Sequence, residues 1–317
     1  MADKIVSRET DIINMENLSY CPVCGKTKFV LFLQSIDFFL TKEEFTIVTC
    51  TACGMKFVNP RPQKTEISKY YESPNYVSHG GEMNVLNYFY RIIRNYSIKM
   101  KFKLVKEYSG GKKLLDIGCG TGEFIYFCNK MGFDVKGIEP SDKPRSFAKE
   151  TYHLNVQEEA YLDNIVDSEF DVITMWHVLE HVHSLNDRMN KISGILKPGG
   201  TLIIAVPNCD SWDARHYGKF WAAYDLPRHL YHFSGETMKI LAGLHQFKID
   251  KIIPMKLDAY YISLLSEKYS KGNQNYFKAV INGIRSNNFA NRNKNNYSSL
   301  IFILKKEKIK IMTYSIR

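Results

Sequence analysis

The chain predicts an α/β protein in which a doubly wound sheet carries the chemistry and a small cysteine module stands ahead of it. Three observations predict this. Strand-like and helix-like segments alternate from Lys113 onward, a glycine turn joins the first of those strands to its helix, and two matched C-x-x-C pairs precede them. With 317 residues the chain is long enough for a sizeable core and more than one unit.

Residues 1–17, MADKIVSRETDIINMEN, are polar and lack the apolar centre of a secretory signal, so they read as a flexible arm. No apolar run approaches the roughly 18–20 residues that cross a bilayer, and a cytoplasmic protein is expected. The net charge of +10 is unevenly placed. Residues 1–247 balance at 29 basic and 29 acidic side chains, whereas residues 248–317 hold 14 basic and 4 acidic. That end of the chain is either a solvated surface or one that meets nucleic acid, an anionic membrane or a phosphorylated molecule.

Residues 18–60 contain Cys21-Pro-Val-Cys24-Gly and Cys50-Thr-Ala-Cys53-Gly. Each C-x-x-C offers two sulfurs from one turn, and the glycine behind it lets amides curl toward sulfur. Two such turns complete a tetrahedral four-thiolate zinc site, here a structural zinc ribbon with Cys21, Cys24, Cys50 and Cys53 as ligands. A redox pair or a disulfide would not explain two copies with the same trailing glycine. LFLQSIDFF and EFTIVTC between the pairs read as strands. Cys119, Cys128 and Cys209 read as buried fillers.

Asn59-Pro60-Arg61-Pro62 marks a boundary, and residues 61–110 read as a linker and helical cap. Apolar side chains at Leu86, Phe89, Ile93, Tyr96, Met100 and Leu104 predict a helix over 82–108, stopped at Ser109-Gly110-Gly111.

Residues 111–317 form the third unit. Lys113–Ile117 is a buried strand, Gly118–Gly122 a tight turn and Glu123–Met131 a helix. This is the nucleotide-binding opening of a doubly wound sheet. A dinucleotide fingerprint would be G-x-G-x-x-G, but Glu123 takes the third glycine's place and Asp116 stands two residues before the first. A carboxylate there repels a pyrophosphate and attracts the ammonium and sulfonium of S-adenosylmethionine (SAM). The next strand, Phe133–Glu139, ends on an acid placed to accept hydrogen bonds from ribose hydroxyls.

DIGCGTGEF, GIEPS, the FDVITM strand, LKPGG and TLIIAVPN, in this order and spacing, resemble the Rossmann-like SAM-dependent methyltransferases over residues 85–257. The resemblance implies a doubly wound, seven-stranded, mostly parallel sheet whose last strand runs antiparallel, making 258–296 a helical insertion. It also implies cofactor contacts from Asp116, Ile117, Gly118, Cys119, Gly120 and Gly122, from Glu139, Pro140 and Ser141, from Glu158 beside adenine, and from Trp176 and His177 beside the methionine part.

His177-Val178-Leu179-Glu180-His181 reads on its own as an inverted zinc-hydrolase motif. It follows a strand directly and is too brief for the long helix that such a motif needs. Ser184 reads as the cap of the next helix. Two roles stay open for Glu180 and His181: shaping the crevice toward substrate, or holding a divalent metal. Ubiquinone-type O-methyltransferases, which this stretch resembles, associate acids and a histidine here with a metal. His177 stands where they carry the leading carboxylate.

After the fifth strand, NCDSWDARHYGKFWAAYDLPRHLYHFSGE is aromatic, basic and polar, as a substrate-binding loop would be. Trp221, Arg228 and His232 are the expected substrate contacts; packing and ion pairing are the competing account. Sugar C-methyltransferases, which also place a cysteine zinc module before the SAM domain, resemble this stretch, and His229 falls on their catalytic histidine. Histidine's ordinary pKa near neutrality suits a general base, so His229 and His181 are the expected catalytic residues.

KIDKIIPM and SSLIFILKKEK read as the last two strands, with one or two helices and the asparagine-rich loop NNFANRNKNNY between them. The expected function is SAM-dependent methylation of a small molecule, best a hydroxyl of a sugar or cell-envelope glycan precursor, possessed of a nucleotide or lipid carrier or free. Two alternatives stand beside it: a methyltransferase acting on RNA or protein, weakened because residues 18–60 carry no basic stripe interleaved with aromatics, and a non-catalytic zinc adaptor.

Overall fold

The computed structural model describes residues 14–71, 85–293 and 296–307, with residues 85–93 described by backbone alone. The arm over residues 1–13, the tyrosine-rich stretch over 72–81, the side chains of Leu86, Phe89 and Ile93, and the basic end over 308–317 lie outside the described residues.

The main sheet has seven strands: β6 (Lys113–Ile117), β7 (Asp134–Ile138), β8 (Val156–Gln157), β9 (Phe170–Trp176), β10 (Leu196–Pro207), β12 (Phe247–Pro254) and β13 (Ser299–Lys306). Their order is β12-β13-β10-β9-β6-β7-β8. The ladders β10–β9, β6–β9, β6–β7 and β7–β8 are parallel, and β13 runs antiparallel to both neighbours. Leu114, Leu115, Ile173, Met175, Ile203 and Ile204 are fully buried, as expected of strands covered on both faces.

The covering helices are α1 (Val85–Tyr108), α2 (Glu123–Lys130), α3 (Asp142–Tyr152), α4 (Leu185–Ile195) and α6 (Gly235–Leu244). Ser184 holds the N-cap position of α4 without a side-chain cap bond. At α6, Ser234 and Thr237 exchange a capping box. In α1 Leu104 is buried and Met100 packs on the core as expected, whereas Phe102 and Val105 join them inside and Tyr96 is 61% exposed.

The cysteine module builds a second sheet from β2 (Phe29–Ile36), β3 (Glu44–Cys50) and β4 (Lys56–Val58). Its order, β11-β4-β3-β2, includes β11 (Tyr231–His232), a strand supplied by the segment after β10. β1 (Met15–Glu16) pairs with β5 (Arg61–Pro62), so the end of the expected arm and the expected boundary form one ribbon. The buried Arg61 fastens that ribbon to the rest: its Nε lies 2.6 Å from Glu16, its Nη1 2.8 Å from the Tyr231 hydroxyl, and its Nη2 donates to the His183 carbonyl at 3.1 Å.

Between β12 and β13 stand α7 (Asp258–Lys271) and α8 (Tyr276–Arg292). The asparagine-rich loop is mostly helix. Asn282 donates to Tyr217 and Glu267, and Asn287 donates to the Lys256 carbonyl, so these amide NH2 groups are engaged across the helix packing and do not compete for its backbone. α5 (Trp212–Tyr217) precedes two short 3-10 turns that carry the chain to β11. Among the described residues, no helix is long and apolar enough to cross a membrane.

Candidate active site

The glycine turn leaves β6 at the C-terminal edge of the parallel strands. Gly118 has φ +75°, and a Cβ there would come within 2.4 Å of Val178 Cγ2, so only glycine fits. Gly120, φ +55°, has no atom within 4 Å of where a Cβ would lie, which leaves open backbone beside the turn.

Two carboxylates flank this curl. Asp116 is buried, accepts from Thr174 Oγ1 at 2.5 Å, and has its pKa pushed up to about 7. Burial is the main cause and Glu139 adds to it; Thr174 and the Lys101 ammonium oppose it. Glu139 accepts the Gly120 amide at 2.8 Å and the Ser141 amide at 2.9 Å, which fixes it at the end of β7. Lys101 of α1 lies 4.8 Å over the Trp176 ring. Burial depresses its pKa against the pull of Asp116 and Asp258. No sequence signal marked Lys101 beyond its place on the inner side of α1.

Beyond β9 the backbone turns through His177, whose φ is +56°. Its Nε2 lies 3.2 Å from Asp258 Oδ2 and its Nδ1 3.4 Å from Glu180 Oε1. Burial alone would lower its pKa, but the two carboxylates outweigh that and raise it to about 10. His177 is therefore an imidazolium at neutral pH. Asp258 was not singled out in the sequence, where a lone acid opening a helix points to no partner.

Glu180 is fully buried, and no hydrogen bond reaches either of its carboxylate oxygens. Its pKa is nonetheless held down: burial pushes it up, and His177, His229 and His181 together prevail. His181 and His229 stand beside it, and one ligand atom from each of the three lies within 4.8 Å of the others. Each histidine has a backbone carbonyl at Nδ1: Arg228 O at 3.0 Å from His181 and Ala223 O at 2.8 Å from His229. A carbonyl only accepts, so a proton on Nδ1 suits both rings; the Tyr71 hydroxyl, 2.9 Å from the His181 Nδ1, can accept that same proton, and the neutral His181 ring then keeps a lone pair on Nε2. Burial, reinforced by His229, lowers the His181 pKa to about 4.

The expected substrate contacts lie elsewhere than in an open pocket. Trp221 is enclosed, its Nε1 donating to Asp213 at 2.8 Å. Arg228 is enclosed too, pairing with Asp225 at 2.6 Å and Asp37 at 3.1 Å and donating to the Tyr70 carbonyl. His232 packs edge-on against Tyr224 with its Nε2 unpartnered. An aromatic, basic stretch resembles a pocket lining in sequence; here it is an interior joint, and Arg228 positions His181 through its own carbonyl.

In the cysteine module the two turns face each other. Cys21 Sγ is 3.5 Å from Cys53 Sγ, and Cys24 Sγ is 3.6 Å from Cys50 Sγ. These separations are too long for a disulfide and match the roughly 3.8 Å edge of a tetrahedron with 2.3 Å metal–sulfur bonds. Gly25 and Gly54, at φ +69° and +76°, donate to the Cys21 and Cys50 carbonyls and close the turns. Cys119, Cys128 and Cys209 are buried singly.

The family profile described as "Methyltransferase domain" matches residues 90–252, just over half of the chain. The chain belongs to that family. It carries a methyltransferase domain on an α/β fold.

The chain is 29% identical over 103 residues to the ubiquinone biosynthesis O-methyltransferase of Bradyrhizobium sp. (strain ORS 278), covering 31% of this chain and 41% of that protein. It is 32% identical over 121 residues to the protein of that name from Nitrobacter winogradskyi, covering 37% and 46%. The chain thus spans less than half the length of these curated relatives. The Dechloromonas aromatica protein is 26% identical over 187 residues, 55% of this chain and 79% of its own. Among solved structures, a SAM-dependent methyltransferase from Archaeoglobus fulgidus is similar with TM-score 0.46 and 20% identity, over 69% of this chain and 100% of that one.

Proposed function

We propose that this methyltransferase moves the methyl group of SAM to a hydroxyl of a small-molecule acceptor. The observation that carries the reading is the meeting of His181 and His229, both with Nδ1 tied to a carbonyl, at the edge of the sheet where the glycine turn lies. SAM supplies a methyl carbon on a good leaving group. The chain's part is to hold that carbon in line with the acceptor oxygen and to take the hydroxyl proton at a histidine Nε2.

In this reading Asp116 faces the cationic part of SAM and Glu139 the ribose. The backbone of Ile117, Gly118, Cys119, Gly120 and Gly122 curls around it, Pro140, Ser141 and Glu158 border the nucleoside, and Trp176 and His177 border the methionine part. The relatives' names favour oxygen as the methylated atom. The sugar or cell-envelope glycan precursor rests on the zinc-module resemblance alone. Cys21, Cys24, Cys50 and Cys53 hold a structural zinc, supported by their spacing and mutual distances. A cytoplasmic setting is supported by seven unpaired cysteines.

A second reading is favoured by Glu180, a buried carboxylate with an ion pair to His177 at 3.4 Å and no hydrogen bond to either oxygen. With His181 and His229 it offers a two-histidine, one-carboxylate set whose rings are braced at Nδ1, as metal-bound imidazoles are. A divalent ion there would lower the pKa of an acceptor hydroxyl.

The test is incubation with radiolabelled SAM and fractionated hydroxylated acceptors. Label in glycan precursors or other small molecules supports the reading, and label confined to RNA or protein rejects it.

A further inference from the structure

Helix α8 is apolar on the wrong side. The residues it buries are small or polar: Ala279, Asn282, Gly283, Ser286, Asn287 and Ala290. At Gly283 an added Cβ would stand 2.5 Å from the Tyr260 ring, so α7 packs against this small-residue face at close range. The large apolar side chains point outward instead. Phe277 is 76% exposed, Val280 49% and Ile284 44%, and their spacing puts them along one stripe.

Cations flank the stripe. Lys278 and Arg285 are exposed, each following a stripe residue, and Lys271 is exposed at the neighbouring end of α7. The ammonium of Lys271 sits close enough to Lys278 to depress its pKa, so positive charge is concentrated here. Residues 256–293 contain two acids only, and both are committed inward: Glu267 is buried against Tyr217 and Asn282, and Asp258 pairs with His177.

An exposed apolar stripe edged by unneutralised cations is what lies flat on a negatively charged bilayer surface. The geometry points to the outer face of α8 as a docking site for an anionic phospholipid membrane. A second copy of this chain fits poorly, because a two-fold contact through α8 would press Lys271, Lys278 and Arg285 against their own counterparts. Docking would also set the membrane against the helix pair that supplies Asp258 to the active site.

The experiment is co-sedimentation of the full chain with phosphatidylcholine vesicles, with and without phosphatidylglycerol. Binding is expected only with phosphatidylglycerol and should weaken with salt. It should fall about five-fold for each of Lys278→Ala and Arg285→Ala, and vanish in Phe277→Glu/Ile284→Glu. These positions are exposed, and unchanged SAM affinity by calorimetry confirms that each variant is folded. Equal binding to both vesicles, no binding, or binding that ignores all α8 substitutions overturns the proposal. So does a concentration-dependent dimer, dissolved by Phe277→Glu, in a chain that vesicles do not pellet.

Discussion

The rings of His181 and His229 meet edge to face, centroids 4.6 Å apart and planes at 80°, although they belong to segments on opposite sides of β10 in the sequence. With its pKa lowered to about 4, first by burial and then by His229, the His181 ring is neutral at pH 7 and keeps its Nε2 lone pair. His229→Ala and His181→Ala should each reduce kcat by about 10²–10⁴-fold while SAM affinity stays at the wild-type value. Initial rates and calorimetry make the comparison. A parallel loss of SAM affinity would assign the pair to the fold.

Elemental analysis separates the two accounts of that pair. If the histidines act as bases alone, purified protein carries one zinc, at the cysteines. If they and Glu180 hold a metal, it carries two ions. Glu180→Gln should then remove one ion, and a chelator should abolish turnover reversibly while the cysteine site stays loaded. A single ion together with full activity in chelator excludes the second reading.

With the cation facing it as proposed, Asp116 should make SAM affinity depend on pH. Its carboxyl, raised to about 7 chiefly by burial, is protonated on the acid side, where it offers a cationic ligand no charge. Affinity should therefore fall as pH drops below 7, by up to about ten-fold per unit. Asp116→Asn should bind weakly with no such slope. Titration calorimetry from pH 5.5 to 8.5 reads both.

What the sequence disclosed was local. Strand, glycine turn and helix over 113–130 are adjacent in the chain, so hydrophobic run, φ-permissive glycines and carboxylate placement could be read together. The limits of β6 followed from its apolar run, those of β9 and β13 to within a residue or two, and the antiparallel place of β13 from the family resemblance. The His181–His229–Glu180 meeting, the β4–β11 pairing and the His177–Asp258 contact each join distant segments, and no periodicity encodes them. Arg228 and Trp221 were ambiguous for the opposite reason: residues that suit a pocket lining also suit a satisfied interior, and Asp37 and Asp213, their partners, lie far off or look unremarkable.

His177 binds the end of β9 to the start of α7 through Asp258 at 3.2 Å. Its folded pKa of about 10 exceeds the unfolded value of about 6.5. The stabilisation is complete below about 6.5 and is lost as pH rises through about 10. Asp258→Asn should thus melt below wild type at pH 6, and the two melting curves should converge toward pH 10.5. A gap that stays constant across that range would locate the effect in something other than the imidazolium.

The cysteine module is coupled to the active site by a short run of backbone hydrogen bonds. Val58 of β4 donates to the Leu230 carbonyl at 3.0 Å, and Leu230 in turn donates to the Glu180 carbonyl at 2.8 Å. Leu230 is the neighbour of His229, so the register of the module's last strand helps to fix where that imidazole stands. Structural zinc sites contribute folding energy directly. With zinc held there as proposed, Cys50→Ser should release it and lower Tm by on the order of 10 °C, given roughly 2–4 °C per kcal/mol for a protein of this size. More telling is the split between binding and turnover. In the proposed reading SAM binds beside β6 and β7, which the module does not pair with, so calorimetry should find SAM still bound at a temperature where the variant is folded. Turnover should fall with the displaced His229. Retained turnover after zinc loss would mean that the β4–β11 ladder holds without the metal.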